Sequence, residues 1–225
     1  MNQDIKVRYH LLDQIRALAV ILMIIFHFAY DLSFFGYYDM NYPTNPYWYA
    51  LPRIIVFLFL ICVGMGLYEA HSPTIKVKKF TKRFLLIVMW AIVISISTYF
   101  LFPERWIYFG TLHCIALASV ASLPFLRFPK ISLLLGSVLV ISDFVFGYRL
   151  PWIELDHKAM DYIPLFPWLG FALIGIFMAK IGFHKLKVPS IPALQWLGTH
   201  ALAIYVLHQP ILFGLIYLIY KIQYR

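Results

Sequence analysis

The sequence predicts an all-α polytopic membrane protein with about seven transmembrane helices and a cytoplasmic N-terminus, built as a single domain over residues 1–225. Three observations predict this class. The chain is 62% hydrophobic and only 13% charged, whereas soluble domains carry about 25% charged residues. Its apolar segments have the length that a bilayer requires. Lys and Arg are concentrated in alternate connectors, as expected for cytoplasmic loops.

Seven apolar segments approach the roughly 20 residues that cross a hydrocarbon core of about 30 Å. Breakers such as Pro43, Pro46, Pro103 and Pro129 separate them. The fifth segment is the weakest candidate and contains Ser142 and Asp143. In chain order the segments lie at about 12–35, 50–69, 83–102, 107–126, 131–149, 163–182 and 194–220.

The distribution of basic residues predicts the orientation. Lys6 and Arg8 precede the first segment, and the alternate connectors after it, at 70–82, 127–130 and 180–187, are also basic. The intervening connectors are poorer in Lys and Arg, which places the N-terminus in the cytoplasm. These connectors explain most of the net charge of +9, so nucleic acid is not expected as a partner. The expected partner is the lipid bilayer.

Arg16 and His27 lie on the first apolar segment with ten residues between them. Eleven residues is close to three helical turns, so both side chains project from one face, roughly 16 Å apart along the axis. Ionisable residues inside a membrane helix are costly and usually face a cavity or a partner. The pair therefore predicts a polar path across the bilayer.

With this orientation, several polar residues fall at similar depth near the outer face. Asp31 lies one turn beyond His27 on nearly the same face. The others are Arg53, which enters the second helix from outside, His113 on the fourth and Asp143 on the fifth. We expect these five residues to form one layer that is reachable from the external side.

Structural explanations for the same residues remain open. A membrane histidine often only bonds a neighbouring helix, which also applies to His200 and His208 on the last helix. Arg53 can extend to the interface, Asp143 can pair with Arg53 or Arg149, and Arg16 can pair with Asp13. The aromatic residues around Trp48 in the first outer loop are typical of an interfacial belt, with sugar stacking as the alternative.

The Arg-x10-His spacing resembles that of membrane acyltransferases of the type 3 family. Four longer blocks are more similar to the heparan-alpha-glucosaminide N-acetyltransferase catalytic-domain family, especially its short bacterial members. The blocks keep their order along the chain. They are LLDQIRALAVILMIIFHFAYDL, FGTLHCIALAS, PLFPWLGFALIG and LGTHALAIYVLHQPIL.

The resemblance implies an enzyme that takes an acetyl or short acyl group from cytoplasmic acyl-CoA and delivers it to a sugar amine or hydroxyl outside. It also implies a bacterial inner membrane. One departure stands out. The animal lysosomal members have an asparagine where His27 stands and carry their active histidine in the first lumenal loop, and here that loop, GYYDMNYPTNPYWYA, has no histidine.

Acyl transfer from a thioester needs a base and an oxyanion stabiliser. We assign catalysis to His27 as base, Asp31 as the group that orients it, and His113 as a second acid/base or oxyanion donor. Acyl-CoA contacts are assigned to Arg16, Lys82 and Arg83 because cations bind phosphate, and substrate contacts to Arg53, Asp143 and Trp48. Direct attack on the thioester and an acyl-histidine intermediate both remain open, with direct attack preferred.

Three rival classes also remain open. Intramembrane His, Asp and Arg build proton relays in transporters, so a proton-coupled small-solute transporter is the main alternative. A haem protein with His27 and His113 as axial ligands and a non-enzymatic assembly protein are weaker ones. No metal is expected, since the sequence shows no ligand-spacing motif. The oligomeric state is open, and a homodimer is among the alternatives.

Overall fold

The computed structural model describes residues 9–42 and 44–224, and within these ranges it is helical without strands. Two short 3-10 helices lie at Leu123–Arg127 and Phe183–Lys185. The α-helices are α1 His10–Phe34, α2 Pro46–His71, α3 Val77–Leu101, α4 Thr111–Ser122, α5 Pro129–Phe144, α6 Leu165–Lys180, α7 Pro192–Thr199 and α8 Ala201–Gln223.

Four of these helices, α1, α2, α3 and α8, are long and apolar enough to cross a membrane. The segments Thr111–Arg127 and Leu165–Lys180 are shorter apolar helices, and α5 has only 16 residues. The all-helical class is therefore confirmed for the described chain, whereas seven spans and a cytoplasmic N-terminus stay predictions. Lys6 and Arg8, which entered the orientation argument, lie outside the described residues.

The contacts divide the chain into two compact units. The first comprises residues 1–58 and 184–225, and the second comprises residues 59–183. The first unit therefore combines α1 and the first half of α2 with α7 and α8. A single domain over 1–225 stays a prediction.

In the first unit, α1 packs against α7 and α8. A glycine makes the contact with α7 close: a Cβ added at Gly198 would overlap the backbone carbonyl of Asp13. Small residues at such contacts allow two helix backbones to approach closely. This approach holds α7 against the N-terminal end of α1.

In the second unit, α6 packs against both α5 and α4. A Cβ at Gly136 would lie 2.6 Å from the carbonyl oxygen of Gly170, and Ser132 Oγ donates a hydrogen bond of 2.7 Å to the carbonyl of Leu173. A Cβ at Gly64 of α2 would overlap the carbonyl of Ala172. Helices of this unit therefore meet α6 nearly backbone to backbone.

The single last helix expected over 194–220 is wrong, because α7 ends at Thr199 and α8 begins at Ala201. Thr199 Oγ1 donates to the carbonyls of Gln195 and Trp196, and His200 Nδ1 lies 2.8 Å from the Trp196 carbonyl. Side chains that bond the carbonyls of the last turn compete with helix propagation. Since α8 alone is long enough to span, the break removes no candidate span.

The third helix begins earlier than expected, at Val77 rather than residue 83. Lys82 and Arg83 therefore lie on the helix and not in a connector. Lys and Arg are good helix formers, and their long side chains can extend toward water from a helix end. The hydropathy pattern marks only the apolar part of such a helix.

Gly64→Ala tests the close packing of the second unit. We expect a loss of about 1–3 kcal/mol in stability, because the methyl group must displace backbone of α6. Gly214→Ala is the matched control, since nothing lies within 4 Å of a Cβ there. Thermal unfolding in detergent should show a lower midpoint for Gly64→Ala alone. Equal midpoints for both variants would contradict the packing.

Candidate functional site

Four polar side chains of the first unit meet between α1 and α8. The ring centroids of His27 on α1 and His208 on α8 are 4.7 Å apart, with the planes inclined by 68°. One turn along α1, Asp31 Oδ1 accepts a hydrogen bond of 2.8 Å from Gln209 Nε2. Asp31 is 1% exposed. We refer to His27, Asp31, His208 and Gln209 as the α1–α8 polar cluster.

Each member of this cluster carries a buried polar atom without a hydrogen-bond partner among the described residues. These atoms are His27 Nδ1, Asp31 Oδ2, His208 Nε2 and Gln209 Oε1. An unsatisfied buried polar group costs about 1–3 kcal/mol, so such groups are rare unless a bound molecule satisfies them. Four in one place are poorly explained by helix–helix bonding alone, and they favour a binding site.

Hydrogen bonding defines the tautomer of His208. Its Nδ1 lies 2.7 Å from the backbone carbonyl oxygen of Tyr205. A carbonyl only accepts, so Nδ1 carries the hydrogen and Nε2 of the neutral ring presents a lone pair. His208 therefore has the arrangement of a general base whose second nitrogen is held by a carbonyl.

The partner of Asp31 differs from the one expected. Asp31 was predicted to orient the His27 ring, yet Gln209 holds its Oδ1, and no hydrogen bond joins Asp31 to His27 in the ranges that the structure describes. Because a carboxylate cannot donate, the amide of Gln209 must point its nitrogen at Asp31 and its oxygen away. The orienting role of Asp31 stays a prediction.

Arg16 lies on the same uninterrupted helix as His27. Its Nη1 bonds Asp13 Oδ1 at 3.1 Å, which is the ion pair considered as its structural explanation. Helical periodicity places Val20 and Met23 on the face between Arg16 and His27, and both are buried, at 0% and 2% exposure. The face of α1 that carries Arg16 and His27 is thus polar at both ends and apolar in the middle. A continuous polar path across the bilayer stays a prediction.

His113, in the second unit, has hydrogen bonds at both ring nitrogens. Nδ1 accepts from the Gly110 N–H at 3.2 Å, so Nε2 carries the hydrogen and donates to Ser95 Oγ at 3.1 Å. Ser95 in turn donates to the Ile107 carbonyl at 2.6 Å. These contacts cap the start of α4 and engage both ring nitrogens, and the catalytic role of His113 stays a prediction.

Asp161 completes this cap and was not anticipated from the sequence. Its carboxylate accepts from the Thr111 N–H at 2.8 Å and from Thr111 Oγ1 at 3.3 Å. Burial raises the pKa of Asp161. A carboxylate at a helix N-terminus satisfies donors that the helix leaves free, so we treat Asp161 as structural.

The three predicted substrate contacts each have a local partner. The guanidinium carbon of Arg53 lies 3.5 Å from the centroid of the Tyr49 ring. Asp143 pairs with Arg149 at 3.3 Å, one of the two partners foreseen for it. Trp48 Nε1 donates to the Tyr38 hydroxyl at 3.2 Å. Arg53 and Trp48 belong to the first unit and Asp143 to the second, and their roles stay predictions.

Sequence reasoning missed half of the cluster. His208 was expected only to bond a neighbouring helix, and Gln209 was not singled out. The signal was present, because His208 and Gln209 are adjacent polar residues inside an apolar helix of 23 residues. They also lie within LGTHALAIYVLHQPIL, one of the blocks that carried the resemblance.

Comparison with known proteins agrees with that resemblance. A family model described as "Heparan-alpha-glucosaminide N-acetyltransferase, catalytic" matches residues 8–210. The match includes every member of the α1–α8 polar cluster and confirms the family expected from the sequence. Comparison with curated proteins and with solved structures gives no match.

Proposed function

Because this chain belongs to the heparan-alpha-glucosaminide N-acetyltransferase catalytic family, whose members are membrane acetyltransferases, we propose that it moves an acetyl or short acyl group from cytoplasmic acyl-CoA to a saccharide amine or hydroxyl on the external face. The observation that carries the proposal is the α1–α8 polar cluster, where four buried polar atoms lack partners within the described residues. Two imidazoles at that place supply the groups that acyl transfer requires.

His208 fits the role of base. The acceptor amine or hydroxyl attacks the thioester carbonyl carbon, and its proton passes to His208 Nε2. The bond from Nδ1 to the Tyr205 carbonyl stabilises the imidazolium that forms, as a carbonyl or carboxylate does behind other catalytic histidines. This assignment shifts to His208 the role first given to His27.

His27 then fits the role of hydrogen-bond donor to the developing oxyanion. Its Nδ1 is buried without a partner among the described residues, and its ring is adjacent to His208. A donor placed where negative charge develops lowers the barrier strongly in a site that excludes water. The carbonyl re-forms, the C–S bond breaks, and CoA leaves as a thiolate.

Asp31 and Gln209 fit the role of binding residues for the acceptor saccharide. Asp31 Oδ2 and Gln209 Oε1 are both hydrogen-bond acceptors without a protein donor among the described residues. A saccharide offers hydroxyl or amine donors, and hydrogen bonds to a charged group are the stronger kind. We therefore propose that Asp31 selects for an amine or hydroxyl beside the one that reacts.

Arg16 fits the role of a binding residue for the acyl-CoA donor near the N-terminal end of α1. A guanidinium binds phosphate through paired N–H groups. A pantetheine arm that runs from Arg16 toward His27 requires the packing around the buried Val20 and Met23 to open. We further propose seven membrane spans with the N-terminus in the cytoplasm, which places Arg16 on the cytoplasmic side. A bacterial inner membrane is the proposed location, because the short relatives that the sequence resembles are bacterial.

Proteoliposomes test the function. With acetyl-labelled acetyl-CoA at one face and glucosamine at the other, we expect label in the saccharide and an equal amount of free CoA thiol. Empty vesicles are the control. Because His and Asp clusters also serve as proton relays, glucosamine uptake without thiol release would contradict the proposal and favour a proton-coupled transporter.

A further inference from the structure

The short helix α7 lies across the N-terminal end of α1 in the first unit. Gln14 Nε2 of α1 donates a hydrogen bond to the carbonyl of Pro189, which precedes α7. At the other end of α7, Gly198 meets the backbone of Asp13. Two neighbouring residues of α1 therefore contact both ends of α7. A helix of eight residues that ran alongside α1 would cover about 12 Å of its length, so α7 crosses α1 instead.

The two neighbours of α7 relate this crossing to the membrane. Both α1 and α8 are long and apolar enough to span a bilayer, and α8 begins at Ala201, directly after the break that ends α7. The first turns of α1 carry Asp13, Gln14 and Arg16, and such polar groups are stable where water or lipid headgroups can reach them. With α1 and α8 as spans, α7 lies at one face of the bilayer and close to its plane.

Large apolar side chains of α7 and of the segment before it point away from α1. Trp196 on α7 is 58% exposed, and Leu186 and Ile191 in the preceding segment are 56% and 44% exposed. On the other side of α7, Gly198 is buried. The Trp196 ring packs against the exposed His200 ring, with centroids 4.7 Å apart. An outward tryptophan on an amphipathic segment is typical of the interface between hydrocarbon and water.

The charge beside this apolar surface is positive. Lys185 and Lys187 are exposed, and Lys185 Nζ lies 5.6 Å from the centroid of the Tyr9 ring, just before α1 begins. Residues 162–225 include no Asp or Glu, and the nearby carboxylate of Asp13 is buried in its ion pair. Basic residues next to a spanning helix attract anionic lipid headgroups. The surface therefore combines an apolar part with cations, as phospholipid binding requires.

We propose that residues 185–200 form an interfacial anchor that binds anionic phospholipids. The three exposed apolar side chains lie among the headgroups and the upper part of the acyl chains, and Lys185 and Lys187 bind lipid phosphates. The anchor rests on the proposed spanning of α1 and α8, and it does not depend on acyl transfer. It assigns the two lysines to lipid, although the phosphates of acyl-CoA have the same chemistry.

Tryptophan fluorescence of the full chain in phosphatidylcholine nanodiscs tests the depth of α7. The contribution of Trp196 is the emission that Trp196→Phe removes. We expect this emission to be quenched strongly by lipid that is brominated near the top of its acyl chains and weakly by aqueous iodide, because an interfacial indole is shielded from water. Strong quenching by iodide with weak quenching by the brominated lipid would place α7 in water and overturn the anchor.

The lipid preference is tested by energy transfer from Trp196 to phosphatidylglycerol that carries a dansyl group on its acyl chain, titrated into the same nanodiscs. A lysine near an anionic lipid surface contributes about fivefold, so Lys185→Gln/Lys187→Gln should lower the association constant by about 5- to 30-fold. Lys185→Arg/Lys187→Arg retains the charge and should retain the association. The matched control is Lys221→Gln, an exposed lysine in the last turn of α8, which should leave it unchanged.

Two further results would overturn the anchor. One is an equal association constant for wild type and Lys185→Gln/Lys187→Gln, each with the wild-type thermal midpoint. The other is displacement of the labelled lipid by coenzyme A, which would assign the lysines to the acyl-CoA donor. These results are separate from those for the proposed function, because saccharide acetylation can occur without lipid preference at Trp196, and lipid preference can occur without acetylation.

Discussion

His27→Gln is expected to reduce the turnover of acyl transfer by about 10²–10⁴-fold, the range for loss of an acid–base or oxyanion group. Glutamine retains polarity and approximate size but cannot place a donor at the Nδ1 position with the same geometry. His208→Gln should have an effect of the same order, because it removes the lone pair at Nε2. Turnover is measured as thiol release with saturating acetyl-CoA and glucosamine.

The matched control is His200→Gln. His200 is an exposed histidine of the same unit, and we expect normal turnover from this variant. The double variant His27→Gln/His208→Gln should lose little more than the worse single variant, since residues that act as a unit are strongly non-additive. Normal turnover in either single variant that folds, judged by its thermal midpoint, would contradict the cluster as the reaction centre.

Asp31→Asn is expected to raise the KM for glucosamine by about 10- to 100-fold with little change in turnover, because it removes a charged acceptor worth about 1.5–3 kcal/mol. Asparagine retains an oxygen for the bond from Gln209, so the fold should survive. Asp31→Ala should instead also lower the thermal midpoint, because it leaves the Gln209 amide buried without a partner.

Asp39→Asn is the control for this prediction. Asp39 is exposed in the loop after α1 and accepts from the Asn41 N–H, so its amide variant should retain the wild-type KM. A purely structural Asp31 would lower the thermal midpoint in Asp31→Asn while the KM stayed constant. That result would remove Asp31 from the acceptor site.

The sequence predicts α1 well because a single apolar run indicates the length of the helix and also contains the residues of its polar face. The expected segment at 12–35 became His10–Phe34, and regular helix geometry is enough to place His27 and Asp31 one turn apart. The alternatives for Arg16 and Asp143 were also accessible from sequence, since Asp13 and Arg149 lie within a few residues.

The positions of His208 and Gln209 in the cluster depend on a long-range contact, which the local sequence pattern does not reveal. Asp31 and Gln209 are separated by 178 residues, and only the packing of α1 against α8 brings them together. The break at His200 was missed because its cause is side-chain bonding to local carbonyls, which leaves the hydropathy unchanged. The start of α3 was missed because its first turns are basic.

The hydrogen bonds of His113 could not be predicted from its residue type and its depth in the helix. Its ring bonds Gly110 and Ser95, and neither partner is visible as a motif. A histidine engaged at both nitrogens supports a helix start, whereas His208 has one nitrogen held and the other without a partner among the described residues. The two histidines differ in whether a ring nitrogen lacks a partner among the described residues, and only the three-dimensional structure reveals this difference.

The reaction centre can be located by an experimental structure with a non-hydrolysable acetyl-CoA analogue. We expect its carbonyl carbon to lie at a position bordered by His27 and His208, with the carbonyl oxygen accepting from His27 and with room for the attacking atom of the acceptor at roughly 3.5 Å. An analogue bound with its carbonyl elsewhere, and with Val20, Met23 and both histidine rings packed as they are here, would contradict this assignment.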